Sequence, residues 1–224
     1  MIPTDIVFEN LLELNQIAAN ELIKAYHNLS GKKTFLVIPQ KRNTKTRVSE
    51  QELRSTMTTL FGTNNNLHLT YSIETPTGGI YSFKGVNSRS ASTDLSFYDG
   101  SQRILNIELK AHNSSQASID KDIQKLVAED CLGAWCHIFE NEDSGTINSM
   151  IKKIKLALSK HGTPKHPIYF SFLVLKTRKL ITRKGKDSDL LNFQPDSILD
   201  LVYSDHKISS TLNSSIRDWH LNHY

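Results

Sequence analysis

Ser92-Thr93-Asp94-Leu95-Ser96-Phe97-Tyr98, then Asp99-Gly100, then Arg103-Ile104-Leu105-Asn106-Ile107-Glu108-Leu109-Lys110: the reading of this stretch decides the fold of the 224-residue chain. Asp-Gly between two apolar-rich runs is a strong hairpin signal, because both residues tolerate the positive φ that tight hairpin turns need. Side chains alternate faces along a strand. Glu108 and Lys110 therefore project together, while Ile107 and Leu109 point the other way. A hairpin pivoting at Asp99-Gly100 carries Asp94 back towards the level of Glu108 and Lys110. Two carboxylates and one ammonium then gather at the sheet surface.

Working outward, the segment upstream reads as helix. Ser49 is an N-cap, Glu52 closes a capping box, and Leu53, Met57 and Leu60 form a buried stripe that stops at Gly62. Between them and the hairpin, Leu67 to Thr75 alternates by twos. Thr77-Gly78-Gly79 fits a turn into a second strand, Ile80 to Lys84, and Gly85, Asn87, Ser88 and Ser90 make a loose connection. Downstream, Ser118 caps a helix to about Glu129 with Ile119, Ile123, Leu126 and Val127 inward. Ala134 to Phe139 reads as a strand, Ile147 to Lys160 as a helix, and Ile168 to Leu175 as a nearly continuous apolar strand of the kind buried in a mixed sheet. The N-terminal Asp5 to Ser30 has helical spacing, with Asp5 as its cap and Ser30-Gly31 as its stop, followed by a short β-rich run, Thr34 to Ile38. Towards the C-terminus Ile198 to Tyr203 suits a strand and Ile216 to Leu221 a helix. The order predicts a single α/β domain, with a mixed central β-sheet flanked by helices. Its core spans about 49–175, with a helical extension over 1–48 and a C-terminal extension over 176–224.

The grouping of Asp94, Glu108 and Lys110 has a chemical rationale. Two hard oxygen ligands can hold Mg²⁺ while water and phosphate oxygens complete an octahedron. The cation polarises a phosphodiester and lowers the pKa of a water, and a neighbouring lysine can orient that water or steady the charge on phosphorus. The run resembles the catalytic motif of the PD-(D/E)XK nuclease superfamily, with Thr93 where the motif's name has proline. The resemblance covers about Ser49 to Phe139. It implies a restriction-endonuclease-like core and a metal-dependent endonuclease using Mg²⁺ or Mn²⁺, with Asp94 and Glu108 as metal ligands and Lys110 as the water-positioning lysine. It further implies a glutamate on the preceding helix as an added ligand, for which Glu52 is the best match and Glu50 the fallback. A polar residue on the helix after the motif would also face the site, with Gln124 and Lys125 as candidates; the glutamine-to-tyrosine pattern of RecB-like members fails because Ala128 stands where the tyrosine belongs. An E-x-K triplet alone is expected by chance in a chain of this length, and the plain alternative is a solvated ion pair on an edge hairpin.

Between Lys152 and Lys186 there is no acidic residue, whereas Lys152, Lys153, Lys155, Lys160, Lys165, Lys176, Arg178, Lys179, Arg183, Lys184 and Lys186 all fall there. One-sign patterning of this kind suits a phosphate backbone, and Lys41, Arg42, Lys45 and Arg47 form a second basic loop. His112, two residues after Lys110, is an accessory candidate for phosphate contact or proton transfer, with a loop-edge role as the alternative. Pro195-Asp196 with Asp205-His206-Lys207 spells the family motif more literally. It sits in a polar run with too little chain behind it for the later helix and strand, so the first site is favoured. Cys131, Cys136 and His137 lack a convincing partner pair for structural zinc, although His220 and His223 lie close together. Gly78-Gly79 lacks the lysine and hydroxyl of a phosphate loop, and no G-x-S-x-G elbow occurs.

Composition agrees with this class. Hydrophobic residues make up 38% and charged residues 22%, which excludes wholesale disorder, and Lys plus Arg exceed Asp plus Glu by 27 to 23. Two cysteines exclude a disulfide scaffold and suit a reducing, cytoplasmic setting. No membrane-length apolar run occurs. The expected partner is nucleic acid, with DNA favoured over RNA because most of the resembled family acts on it; a protein partner or a homodimer is compatible. The alternative is a catalytically silent, nuclease-like subunit of a larger defence or restriction assembly, binding nucleic acid or another protein.

Overall fold

The hairpin across Asp99-Gly100 forms as its sequence dictates, and the sheet extends to either side of it. In the computed structural model, which describes residues 2–27, 34–38, 47–83, 86–141, 144–185 and 219–223, the elements run α1 (Thr4–Tyr26), α2 (Glu50–Phe61), β1 (Thr70–Phe83), β2 (Val86–Asp99), β3 (Gln102–Ala111), α3 (Gln116–Ala128), β4 (Leu132–Phe139), α4 (Ser144–His161), β5 (Ile168–Val174), β6 (Lys179–Gly185) and β7 (Trp219–His223). Asp99 pairs with Gln102 across the turn, where Gly100 takes φ +60°, a conformation glycine adopts without cost. The strands lie in the order β1 to β7. β3, β4 and β5 are mutually parallel through the α3 and α4 crossovers, and the flanking pairs are antiparallel. The architecture is therefore α/β with a mixed sheet.

The alternation in β3 separates two cores. Ile107 and Leu109 join Leu95, Leu105, Ala134, Cys136 and Ile138 under α1 and α2. On the opposite face, Trp135, Phe139, Phe170 and Phe172 pack with Ile119, Ile123 and Leu126 of α3 and Ile147, Ile151 and Ile154 of α4. Glu108 and Lys110 thus face the α3–α4 layer. Among the described residues no helix is long and apolar enough to cross a membrane.

Several local expectations are revised. Pro3, not Asp5, precedes α1; no side chain caps it, and Asp5 lies in the first turn, where its charge suits the helix dipole. Thr34 to Ile38 is irregular rather than strand, since only Ile38 is buried while Phe35 and Val37 are exposed. Thr77-Gly78-Gly79 is no turn. β1 continues through it with an irregularity between Pro76 and Ile80, and the segment from Val86 to Ser90 is the start of β2 rather than a loose connection. Ser115, three residues earlier than Ser118, caps α3. The segment after Leu175 continues the sheet as β6. Trp219–His223 is a strand pairing with β6 rather than the end of a helix, because Leu221 meets Ile181 in the ladder. Ser30-Gly31, Lys41, Arg42, Lys45, Lys186, Ile198 to Tyr203, Ile216 and the Pro195-Asp196 and Asp205-His206-Lys207 motif lie outside the described residues.

Candidate active site

The hairpin register carries Asp94 to the expected level. Leu95 pairs with Ile107 and Ser96 with Asn106, so Asp94 shares the face of Glu108 and Lys110. Its Oδ2 accepts a hydrogen bond from the Leu109 N–H at 2.7 Å. Burial raises the Asp94 pKa, opposed by that hydrogen bond and by Lys110 and Lys125.

α3 supplies the other half of the site. Lys110 Nζ lies 2.7 Å from Asp122 Oδ2, Lys125 Nζ 2.9 Å from Asp122 Oδ1, and Lys125 Nζ 2.6 Å from Glu108 Oε1. Lys125 also donates to Ser92 O at 2.8 Å and Lys110 to Leu109 O at 3.1 Å. Asp122 was not singled out in the sequence, yet it carried a readable signal. With Ile119, Ile123 and Leu126 it occupies the i, i+3, i+4, i+7 positions of the buried stripe, where an acid is out of place. Of the two α3 candidates, Lys125 joins the cluster, and Gln124 is half-buried on the same helix.

Electrostatics within the cluster are uneven. Glu108 is 1% exposed, and its Oε2 has no hydrogen-bond partner among the described residues. Burial and the Asp122 charge hold its carboxyl well above the usual range despite Lys125. Burial also opposes the ionised form of Asp122, but Lys125 and Lys110 outweigh it and keep that carboxyl low. Both lysines are held above their ordinary values against the cost of burial, Lys110 chiefly by Asp122 and Lys125 chiefly by Glu108.

Glu52 is committed elsewhere. Its Oε2 accepts from the Ser49 N–H at 2.7 Å and contacts the Ser49 hydroxyl, completing the capping box. Glu50, at the start of α2, is the one whose charge reaches Lys110 and helps raise its pKa. His112 also serves the backbone: its ring bonds Val48 O through Nε2 at 2.7 Å, and its own carbonyl accepts from His137 Nε2 at 2.6 Å. That makes it the loop-edge residue of the alternative reading, clamping the start of α2 to the end of β3.

The basic stretch divides. Lys152 and Lys165 are exposed. Lys153 holds the β3–α3 loop through Asn113 Oδ1 at 2.9 Å and Ser114 O at 2.8 Å. Lys160 pairs with Asp120, and Lys176 lies 4.0 Å from Glu140. Lys155 and Arg178 are half-buried. Lys179, expected to meet phosphate, is 5% exposed, because it opens β6 opposite Val174 inside the sheet. The backbones of Arg183 and Lys184 lie in β6. Cys131 and Cys136 are buried free thiols, both pushed up to about 12 by burial.

Among the described residues, no group of three or more His, Cys, Asp or Glu side chains is gathered to hold a metal ion. The donor chemistry available is the pair Asp94 and Glu108, with the bare Oε2 of Glu108 between sheet and α3. Mg²⁺ keeps several waters and takes one or two carboxylates, so such a pair is sufficient in kind. Set against family models, curated proteins and solved structures, the chain finds no match in any of the three.

Proposed function

We propose that the chain is a metal-dependent nuclease of the PD-(D/E)XK type, built on a restriction-endonuclease-like core and hydrolysing phosphodiester bonds in DNA. The observation that carries this reading is the convergence of Asp94, Glu108 and Lys110 on one sheet face beside a buried carboxylate oxygen without a hydrogen-bond partner among the described residues. A fold has no structural use for such an oxygen, since an unpaired buried acceptor costs about 1–3 kcal/mol.

In this reading Asp94 and Glu108 hold Mg²⁺ or Mn²⁺, which supplies Lewis acidity at the scissile phosphate. Lys110 orients the attacking water and steadies negative charge on the phosphoryl oxygens, and its ammonium stays charged through its pairing with Asp122. In this reading a phosphate backbone approaches at the carboxyl ends of β3 and β4, beside Lys110, His112 and Lys153. Open α/β sheets bind ligands at this edge. Exposed Lys152, in the first half of α4, adds positive charge on that side.

The test is incubation of supercoiled plasmid, single-stranded DNA and RNA with Mg²⁺, Mn²⁺ or EDTA, with Lys110→Ala protein alongside. Metal-dependent cutting that the variant loses supports the reading and identifies the polymer. A second reading, a silent nuclease-like subunit, is favoured by the near-complete burial of Glu108 under Lys125. It expects salt-sensitive nucleic-acid binding with no cutting of any of the three substrates.

A further inference from the structure

The Lys125 ammonium sits in an oxygen cradle made by Glu108 Oε1 at 2.6 Å, Ser92 O at 2.8 Å and Asp122 Oδ1 at 2.9 Å. A carboxylate, a carbonyl and a second carboxylate are the donors a hard cation takes. We infer that Lys125 is a built-in competitor for the cation position at Glu108, and that Asp122 is the counter-charge to which its ammonium withdraws when a divalent cation binds. The inference rests on the nuclease reading and specifies how that site is regulated.

Charge balance is the first argument. With every group ionised, Asp94, Glu108 and Asp122 carry three negative charges against two positive charges on Lys110 and Lys125. In the metal-free protein Lys125 is the compensation available to Glu108, which is 1% exposed and whose Oε2 accepts no hydrogen bond among the described residues. A dication beside Glu108 would meet that ammonium at close range, and like charges in a low-dielectric site repel strongly. Reach is the second argument. Asp122 and Lys125 are one helical turn apart and already in contact, so a side-chain rotation takes Nζ off Glu108 while keeping it on Asp122. Asp122 also holds Lys110 through its other oxygen, so the same carboxylate keeps Lys110 in position while Lys125 moves. Asp122 acts here as a positioning residue.

The test is calorimetric titration of Mg²⁺ and of Mn²⁺ into the metal-free full chain, for wild type, Lys125→Met, Lys125→Arg and Asp122→Asn. Removing the ammonium is expected to tighten metal binding by about tenfold or more, while the arginine variant keeps the wild-type affinity. Asp122→Asn is expected to weaken binding by about tenfold, because the displaced ammonium loses its counter-charge. Unchanged affinity in Lys125→Met, or in Asp122→Asn, overturns the inference. Lys125→Met strands Glu108; where that variant fails to fold without metal, recovery of its far-ultraviolet circular dichroism on adding Mn²⁺ supports the inference, and failing recovery the Asp122→Asn titration decides. Plasmid cleavage by wild type runs in parallel. A wild type that cuts with metal while Lys125→Met binds metal no tighter sinks this inference alone. A wild type that neither binds metal nor cuts removes the nuclease reading itself.

Discussion

Two buried glutamates flank α3 and have opposite surroundings. Glu129, at its C-terminal end, accepts from Gly78 N–H at 3.1 Å, Gly79 N–H at 3.2 Å and Tyr81 Oη at 2.8 Å, with Arg103 Nη1 at 3.3 Å. Glu108, facing Lys125 of the same helix, has one ion pair and a bare oxygen. The first carboxylate does structural work: it pins the irregular stretch of β1 and turns the far half of the β1–β2 hairpin onto the helix, where Arg103 also reaches Pro76 O at 2.9 Å. The second meets only Lys125 among the described residues, and a buried ion pair is frequently neutral or unfavourable against replacement of both partners by apolar residues. The contrast teaches that burial of a charge is uninformative by itself. Whether its hydrogen-bonding capacity is spent separates a staple from a site.

The comparison can be broken at several places. The largest effect is expected in catalysis: Glu108→Ala, Asp94→Ala and Lys110→Ala should each lower plasmid cleavage by about 10²–10³-fold or more with nucleic-acid binding retained, whereas Glu129→Gln should cut normally wherever it is folded. Cleavage by Glu108→Ala at the wild-type rate would make both glutamates structural. Stability should show the reverse order. Glu129→Ala leaves two backbone N–H groups and a tyrosine hydroxyl without their acceptor and should cost about 2–4 kcal/mol in urea unfolding. The double variant Glu108→Gln, Lys125→Met should be neutral or more stable by about 1–4 kcal/mol.

A third contrast lies beside Lys110 in the ladder, at His137, fully buried and held neutral, its pKa pushed down to about 3 by burial and then by the neighbouring Lys110. The unfolded chain binds a proton there that the folded chain refuses. Stability should therefore fall on acidification from about pH 6.5 towards 3, by up to about 1.4 kcal/mol per pH unit, and His137→Phe should flatten that slope. Equal slopes in the two proteins would show that His137 charges inside the fold. The smallest effect concerns α2. Glu52→Ala should cost about 1 kcal/mol through the lost capping box and leave cleavage unchanged, while Glu50→Ala should weaken cleavage without a comparable loss of stability.

Much of this architecture is readable locally. The Ser49 cap with Glu52, the Asp99-Gly100 turn, the alternation that sends Ile107 and Leu109 one way and Glu108 and Lys110 the other, and the apolar run from Ile168 follow from dihedral preferences and side-chain periods within a few residues. The failures share a cause. Thr77-Gly78-Gly79 looks like a turn because its glycines are permissive, but its amides are claimed by Glu129, some fifty positions away. Trp219–His223 becomes a strand because β6 offers an edge to pair with. Asp122 and Lys125 share the inward side of α3 with Ile119, Ile123 and Leu126, but that they meet Glu108 and Lys110 is set by how the helix packs on the sheet. The sequence by itself determined the elements and which carboxylates and lysine share a face, because backbone geometry is a short-range property. Only the tertiary structure decided which charges are paired, which are desolvated and which oxygen is left bare, because partners and dielectric are set by segments that meet across the whole chain.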